Sequence, residues 1–232
     1  SALSSAAVAV SWTSGGNSAG TTYTAQSSTD SFSTVNASSS TLNLAVAFGL
    51  GGFGPDLTPN TTVHFRIRSS TTGAVSAFVS LGSTVTFSTA PASPALAGVG
   101  LSSVSLSWST NGNFLATRYE AQFSTDTFAT VNSSSLTYAA VAVFSGLAQN
   151  TTYHLRVRAA NSAGIATAFA SLVSTPTHPA APASPAFSAP GASSMTASWG
   201  ANSNPAGTLW RVTLSTDSFA TTNLSLTTTS IS

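Results

Sequence analysis

Alternation of apolar and polar residues is the dominant pattern along this chain. In residues 103–108 every second residue is apolar and the others are serine, and residues 118–123 and 153–159 repeat the alternation. A period of two is typical of a strand with one buried face. Clusters of Gly, Pro, Asn, Ser and Thr separate these runs, and no stretch carries a helical stripe. The pattern therefore predicts an all-β fold arranged as a sandwich.

A longer pattern shows that the chain is a tandem array. The motif S-T-D-x-F occurs at residues 28–32, 124–128 and 215–219, and a tryptophan lies at the same distance ahead of each copy. The copies are spaced by roughly ninety residues, which is the size of one small domain and too long for a single solenoid turn. We therefore predict homologous modules, and arrays of this kind usually display, space or assemble.

Proline-rich segments mark the boundaries between the modules. Residues 90–94 read A-P-A-S-P and residues 179–185 read P-A-A-P-A-S-P, a composition that favours extended linkers. We predict module one at residues 1–90, module two at residues 91–180 and a partial module three at residues 181–232.

Composition excludes several classes of function. Charged residues make up only 5% of the chain, cysteine is absent and the net charge is +1. Without cysteine there is no disulfide framework or Cys-based zinc site, and without a concentrated cationic face nothing supports nucleic-acid binding. The longest apolar run, residues 42–53, is too short to cross a membrane. A nearly neutral surface is expected to be covered by glycans or packed against other copies.

Several residues at conserved places within the repeat carry a family resemblance. Each module has a Trp on its second strand and Tyr or Trp at the start of the third, and residues 157–164 read V-R-A-A-N-S-A-G. In these features the chain resembles the fibronectin type III fold. That resemblance implies strands A, B and E on one sheet and C, C′, F and G on the other. The S-T-D-x-F-x-T-x-N pattern is similar to tandem repeats of large bacterial surface proteins.

The resemblance also implies a tyrosine corner, in which a tyrosine hydroxyl ties down the loop between strands E and F. In module two Leu147, Thr151 and Tyr153 match that motif, with Gln149 where proline is usual. Module one has Val63 in place of the tyrosine, so its corner must be held in another way.

The two ends of the array differ from its middle. Module one starts almost directly on its tryptophan strand, which predicts a missing or truncated strand A, and module three lacks the arginine-bearing strand. Such a sandwich would expose an open apolar edge. Two explanations follow: the chain is a fragment of a longer array, or a neighbouring copy supplies strands by β-augmentation.

The motif T-x-H-x-R-x-R offers the first candidate site. Alternation places its side chains on the solvent face of strand F, where they form either a polar sheet surface, with arginines facing acids such as Glu120 on strand C, or a binding or subunit-contact stripe. Module one has Thr24 and Gln26 on that face and no acid. The stripe comprises His64, Arg66, Arg68, His154, Arg156 and Arg158.

Two further motifs are expected to be structural. The Asp of S-T-D-x-F is expected to bond backbone amides in a turn, with the Phe closing the edge of the core. N-x-S/T sequons give five candidate glycosylation sites, which equally serve as turn residues. These are Asn36, Asn60, Asn132, Asn150 and Asn223.

No arrangement of residues predicts catalysis, a metal site or a cofactor, since the five acids are dispersed and no catalytic motif occurs. The sequence therefore predicts a non-catalytic structural protein of the cell surface or extracellular space, a repeat segment of a filament, stalk or adhesin that self-assembles through module edges. Its expected partners are other copies of itself, and further candidates are glycans or a host or cell surface. The alternative is a carbohydrate-binding or spacer module of a secreted polysaccharide-degrading enzyme.

Overall fold

The structure, a computed structural model, describes residues 3–172, 174–188 and 190–231. These residues form antiparallel strands and turns without any helix, so the predicted all-β class is confirmed. Within each module, strands with one apolar face pair into two sheets that bury those faces against each other.

Module two contains both sheets of a sandwich. Its strands are β8 (Ala92–Val99), β9 (Ser103–Ser109), β10 (Arg118–Ser124), β11 (Ser133–Thr137), β12 (Val141–Ser145), β13 (Thr152–Ala160), β14 (Ala170–Ser171) and β15 (Thr175–Pro176). One sheet has the order β12-β9-β8, and the other has the order β11-β10-β13-β14 with β15 also on β13. This is the expected arrangement of strands A, B and E opposite C, C′, F and G.

The core of module two follows from the alternation in the sequence. Val104, Leu106 and Trp108 on β9 are buried while the serines between them lie outward, and Leu155 and Val157 on β13 face them from the other sheet. Burying each large apolar side chain contributes about 1.5–3 kcal/mol, which suffices for a module without disulfides or metals.

The loop before β13 is tied down as the tyrosine corner requires. The Tyr153 hydroxyl accepts a hydrogen bond of 2.9 Å from the Ala148 backbone N–H. In module one, where Val63 has no hydroxyl, Thr86 holds the equivalent loop, as Thr177 also does in module two beside Tyr153. The Thr86 hydroxyl donates to the Thr58 carbonyl (2.8 Å) and accepts from the Thr61 N–H (2.9 Å).

Module one repeats this architecture with a shortened first strand. Its strands are β1 (Val8–Ser11), β2 (Thr22–Ser28), β3 (Ala37–Thr41), β4 (Ala45–Phe48), β5 (Thr62–Thr71), β6 (Ala74–Val75) and β7 (Val79–Val85). The sheets are β1-β4 and β3-β2-β5-β6, with β7 also on β5. Among the described residues, a bridge between Leu3 and Val8 lies where β8 pairs with β9 in module two, as expected for a truncated strand A.

Module three has only the first part of the sandwich. Its strands are β16 (Ala183–Ser188), β17 (Thr196–Gly200), β18 (Trp210–Leu214) and β19 (Leu224–Thr228). They form two two-stranded sheets, β16-β17 and β18-β19, so the predicted incomplete module is confirmed. In the part of the chain that the structure describes, no strand pairs with the edge of β18 that corresponds to the β13 side of β10.

Candidate functional site

The aspartate of each S-T-D-x-F motif closes a turn. Asp30 accepts hydrogen bonds from the Thr34 backbone N–H (2.9 Å), the Thr34 hydroxyl (2.7 Å) and the Ser28 hydroxyl (2.8 Å). These donors, led by the Thr34 N–H, stabilise the carboxylate and lower the pKa of Asp30 below its ordinary value. The aspartate is therefore a turn residue, as its sequence context predicts.

The same turn recurs in the other modules. Hydrogen bonds from the Ser124 hydroxyl and from Thr130 lower the pKa of Asp126 to about 2. Bonds from the Ser215 hydroxyl and from Thr221 lower the pKa of Asp217 to about 2. In all three modules the donors of the turn stabilise the charged form of the carboxylate, which is why its pKa lies below the ordinary value of 3.8.

The turn has an unusual backbone. Ser31 and Phe32 both have left-handed conformations, with φ values of 57° and 70°, and the Ser33 N–H bonds the Asp30 carbonyl at 3.3 Å. Two consecutive positive φ values define the tight reversal that normally favours Asn-Gly. This conformation costs roughly 1–2 kcal/mol for each residue that has a Cβ. The repeat keeps that strain in every copy, at Thr127 and Phe128 and again at Ser218 and Phe219.

The strained turn places the Phe32 ring on an arginine. The Arg66 guanidinium lies between two rings, with its Cζ atom 4.1 Å from the centre of Phe32 and 4.2 Å from the centre of Phe78. Its Nε and Nη2 atoms both donate to Gln26 Oε1, at 2.9 and 2.7 Å. We call this group the arginine sandwich of module one.

Module two has the equivalent arginine sandwich. Arg156 lies 3.9 Å from the Phe128 ring centre and 4.0 Å from that of Phe169, and it donates twice to Gln122 Oε1. The expectation that the motif phenylalanine closes the edge of the core is therefore wrong for both modules. The left-handed turn folds Phe32 and Phe128 back over the outer sheet face, where the arginine presents its flat side.

Arg68 and Arg158, the last arginines of the two T-x-H-x-R-x-R motifs, have different partners. Arg158 forms an ion pair of 2.7 Å with Glu120, as the strand alignment predicts. Arg68 occupies the same position in module one, opposite Thr24, and its buried Nε atom has no hydrogen-bond partner among the described residues. The missing acid on strand C therefore leaves the Arg68 guanidinium less well satisfied than that of Arg158.

The six residues of the predicted stripe lie on one face of strands β5 and β13. His64 and His154 are half-buried at the start of that face, with His64 Nε2 3.4 Å from the Ser31 hydroxyl. The guanidinium groups beside them are engaged by glutamine, glutamate and phenylalanine side chains of their own module. A role of the stripe in ligand binding or subunit contact stays a prediction, and it would use only the edges of these groups.

The five sequon asparagines fall into two structural classes. One class belongs to the S-T-D-x-F turn: the Oδ1 atom of each accepts a bond of 2.7–2.8 Å from the N–H of the threonine in that turn. These are Asn36, Asn132 and Asn223. The other class, Asn60 and Asn150, lies where one module meets the next.

Asn60 joins module one to module two. Its Nδ2 atom donates to the Thr117 hydroxyl (2.9 Å), and its Oδ1 atom accepts from the Ser162 N–H (2.7 Å). Across the same boundary, Asn113 Oδ1 accepts from the Thr89 N–H and Asn113 Nδ2 donates to the Thr89 carbonyl, both at 2.8 Å. We call this set of bonds the asparagine junction. A glycan on Asn60 Nδ2 would require the junction to open.

The asparagine junction is repeated between modules two and three. Asn150 Nδ2 donates to the Thr208 hydroxyl at 2.9 Å. Asn204 Oδ1 accepts from the Ala180 N–H (2.9 Å), and Asn204 Nδ2 donates to the Ala180 carbonyl (3.0 Å). Buried amide groups bonded on both sides fix the relative position of the segments that they join, so both boundaries are built to one design.

Sequence reasoning missed two sets of residues. The second rings of the arginine sandwiches, Phe78 and Phe169, each stand in an A-F dipeptide after strand F, and that recurrence is a usable signal. Asn113 and Asn204, the other missed junction residues, stand in N-x-x-x-T at residues 113–117 and 204–208, and residues 17–21 of module one repeat the motif at the equivalent place. Because these residues bond across a boundary, their role is invisible without the neighbouring module.

Module three contains an open groove between its two sheets. The groove has a volume of about 590 Å³ and is lined by apolar side chains, among them Trp199, Val212 and Leu226. Leu226, which lines the groove, is 59% exposed, whereas Phe144 and Leu155 in the complete core of module two are buried. In module two the equivalent space is filled by β12 and β13.

Residues 3–172, 174–188 and 190–231 contain no cluster of three His, Asp or Glu side chains that could hold a metal ion. Across the same ranges, no helix has the length and apolar character needed to span a bilayer.

The fold is that of known modular proteins. A family model of the fibronectin type III domain matches residues 89–175. A two-domain fibronectin type-III segment from chicken tenascin is 11% identical, with a TM-score of 0.52 over 76% of this chain and 95% of that chain. The FN1–FN3 domains of chicken CNTN1 are 14% identical, with a TM-score of 0.33 over 76% of this chain and 64% of that chain. No curated protein matches the chain.

At these identities the likeness concerns the fold alone. With two sheets per module, the family match over module two and the two-domain likeness, the predicted tandem fibronectin type III sandwich is confirmed. Because this fold carries many unrelated functions, the function must be argued from the sites.

Proposed function

We propose that this chain is a non-catalytic structural segment of an extracellular or cell-surface filament, stalk or adhesin, and that its copies assemble through the open edge of module three. The observation that carries the proposal is the apolar groove between strands β16–β17 and β18–β19. Left open, this groove would expose a contiguous apolar surface at considerable cost, so strands from outside module three are expected to fill it.

The repeat itself has a strand that suits the groove. Strand β13 presents Leu155 and Val157 to the core on one face and Arg156 on the other, where it meets Phe128. A strand of this pattern, added to the free edge of β18, would fill the groove and bring an arginine to the exposed ring of Phe219. Addition of a strand to an unpaired edge is a common mode of assembly.

Two further features support a structural role at a surface. The asparagine junctions make each boundary alike, which suits a regular rod, and the low charge removes the repulsion that keeps proteins apart. The extracellular location rests on the similarity of the repeat to those of bacterial surface proteins.

Electron microscopy and light scattering of the purified chain test assembly, and we expect filaments or oligomers that grow with concentration. A synthetic peptide of residues 152–160 should compete for the groove and shift the chain toward monomers. Leu226→Lys, which alters an exposed groove residue, should do the same, whereas Leu115→Lys at a surface residue of module two that is 90% exposed should not. Dispersed monomers at all concentrations would overturn the proposal.

A further inference from the structure

The beginning of module one carries one half of an asparagine junction. Asn17 and Thr21 occupy the places that Asn113 and Thr117 hold in module two within the N-x-x-x-T motif. The Asn17 Nδ2 atom donates to the Ser14 carbonyl at 2.7 Å, the same distance at which Asn113 Nδ2 donates to the Thr110 carbonyl. The loop is therefore held in the junction geometry, and no junction partner lies on it in the part of the chain that the structure describes.

The loop around Asn17 differs from the loops around Asn113 and Asn204 in that no neighbouring module covers it among the described residues. Asn113 and Asn204 are 8% and 7% exposed, and the Oδ1 atom of each accepts a backbone N–H from the preceding module's end. Asn17 is exposed, and its Oδ1 atom accepts no hydrogen bond from the described residues. The Oδ1 and Nδ2 atoms of Asn17 therefore face solvent in the arrangement that forms a junction at Asn113 and again at Asn204.

Thr21 completes the half-site. Its hydroxyl donates to the Ser18 carbonyl at 2.8 Å, as the Thr208 hydroxyl donates to the Pro205 carbonyl at 2.7 Å. In Thr208 the same oxygen also accepts the bond from Asn150, so Thr21 retains the lone pair that an equivalent asparagine would need. Gly15 stands where Asn111 donates to the Ala90 carbonyl, so the half-site of module one offers one side-chain bond fewer.

We propose that the surface formed by Asn17 and Thr21 is an acceptor for the carboxyl-terminal end of another module of this repeat. The occupant presents an extended segment equivalent to residues 88–90, with a free N–H and C=O for Asn17, and a loop asparagine equivalent to Asn60 for Thr21. This deepens the proposed structural role by naming the partner of one surface, and it rests on the chain acting as part of an array. It does not depend on the groove of module three.

The test provides the proposed partner by placing a second copy of module one ahead of the chain at the spacing of the repeat. A copy of residues 1–96 is placed directly before the full chain, which keeps the spacing of Trp12 and Trp108, and hydrogen exchange is followed in residues 13–21 of the original module one. We expect exchange there to slow by about tenfold relative to the unextended chain, as for other buried and bonded loops. The added copy would also lengthen strand A, which would slow exchange in residues 8–11. Because those residues lie outside residues 13–21, the two effects are measured separately.

Two variants of the extended chain separate a specific junction from general crowding. Asn17→Ala should restore fast exchange in residues 13–21, whereas Asn43→Ala, at another exposed asparagine of the module, should leave the protection in place. Equal exchange with and without the added copy, or protection that survives Asn17→Ala, would overturn the acceptor surface. Protection in an extended chain that stays monomeric would support the acceptor surface and count only against assembly through the groove.

Discussion

The guanidinium of Arg66 lies over the ring of Phe32, with Cζ 4.1 Å from the ring centre. Arg66 is on strand β5, whereas Phe32 is in the turn that follows β2. In modules one and two this contact helps to offset the strain of the turn, because the arginine is held between two aromatic rings and bonded twice to a glutamine. Module three has the same left-handed turn and ring, and among the described residues no arginine lies over the Phe219 ring, so its turn forms without the contact.

Removing the motif phenylalanine should therefore have different effects in different modules. Phe128→Ala should lower the free energy of unfolding by about 1–3 kcal/mol, because it removes a stacked ring and uncovers Arg156. Phe219→Ala changes the same motif position where, among the described residues, no arginine lies over the ring, and its effect should stay within about 0.5 kcal/mol. Chemical denaturation followed by tryptophan fluorescence measures both. Equal losses for the two variants would show that the ring acts through the turn alone.

The contrast between Arg68 and Arg158 yields a stabilising change. Thr24 faces Arg68 in the register in which Glu120 faces Arg158. Thr24→Glu should create an ion pair worth about 0.2–1 kcal/mol, the range of exposed pairs, and the gain should shrink at high salt. Thr24→Gln is the uncharged control. A gain that does not respond to salt would argue against an ion pair.

How far the sequence predicts this molecule can be seen from single residues. The period of two predicts that Leu106 and Val157 are buried, because strand geometry determines the sides, and aligning the apolar faces of the two strands brings Arg158 opposite Glu120. It does not predict that Phe32 lies over Arg66, since that depends on a left-handed turn that Ser-Phe does not usually adopt. It also does not reveal Asn60 as a boundary residue, because its partner Thr117 belongs to the next module.

Strain in the turn can be relieved without moving the ring. Thr127 is β-branched and has a φ of 58°, a conformation that such residues rarely adopt. Thr127→Asn should raise the free energy of unfolding by about 1 kcal/mol, because asparagine tolerates the left-handed region. Thr125→Asn, in the same turn but without positive φ, serves as the comparison. Thermal unfolding measures the change, and destabilisation by Thr127→Asn would show that the threonine side chain makes a contact worth more than the strain.

The turn aspartates should make the modules sensitive to acid. The pKa of Asp126 is about 2 in the folded chain against an ordinary value of 3.8, so its contribution to stability is complete above the ordinary value and is lost as the pH falls through about 2. Thr130→Val removes the hydroxyl that donates to Asp126 and should raise this pKa toward 3.8. Ser134→Ala, at an exposed residue nearby, should not change it. Carboxyl resonances followed by NMR during acid titration measure the midpoint, and an unchanged midpoint in Thr130→Val would contradict the assigned cause.

The asparagine junction should couple neighbouring modules. Thr117→Val keeps the side-chain shape but removes the acceptor for Asn60 Nδ2, leaving a buried amide unpaired at a cost of about 1–3 kcal/mol. Asn60→Ala removes the other partner, so the double variant should cost less than the sum of the two single variants. Denaturation of all four proteins gives the coupling free energy, and effects that add within about 0.5 kcal/mol would show that the bond does not join the modules. The bonds between Asn113 and Thr89 remain in all four proteins, so the coupling between modules one and two should fall without disappearing.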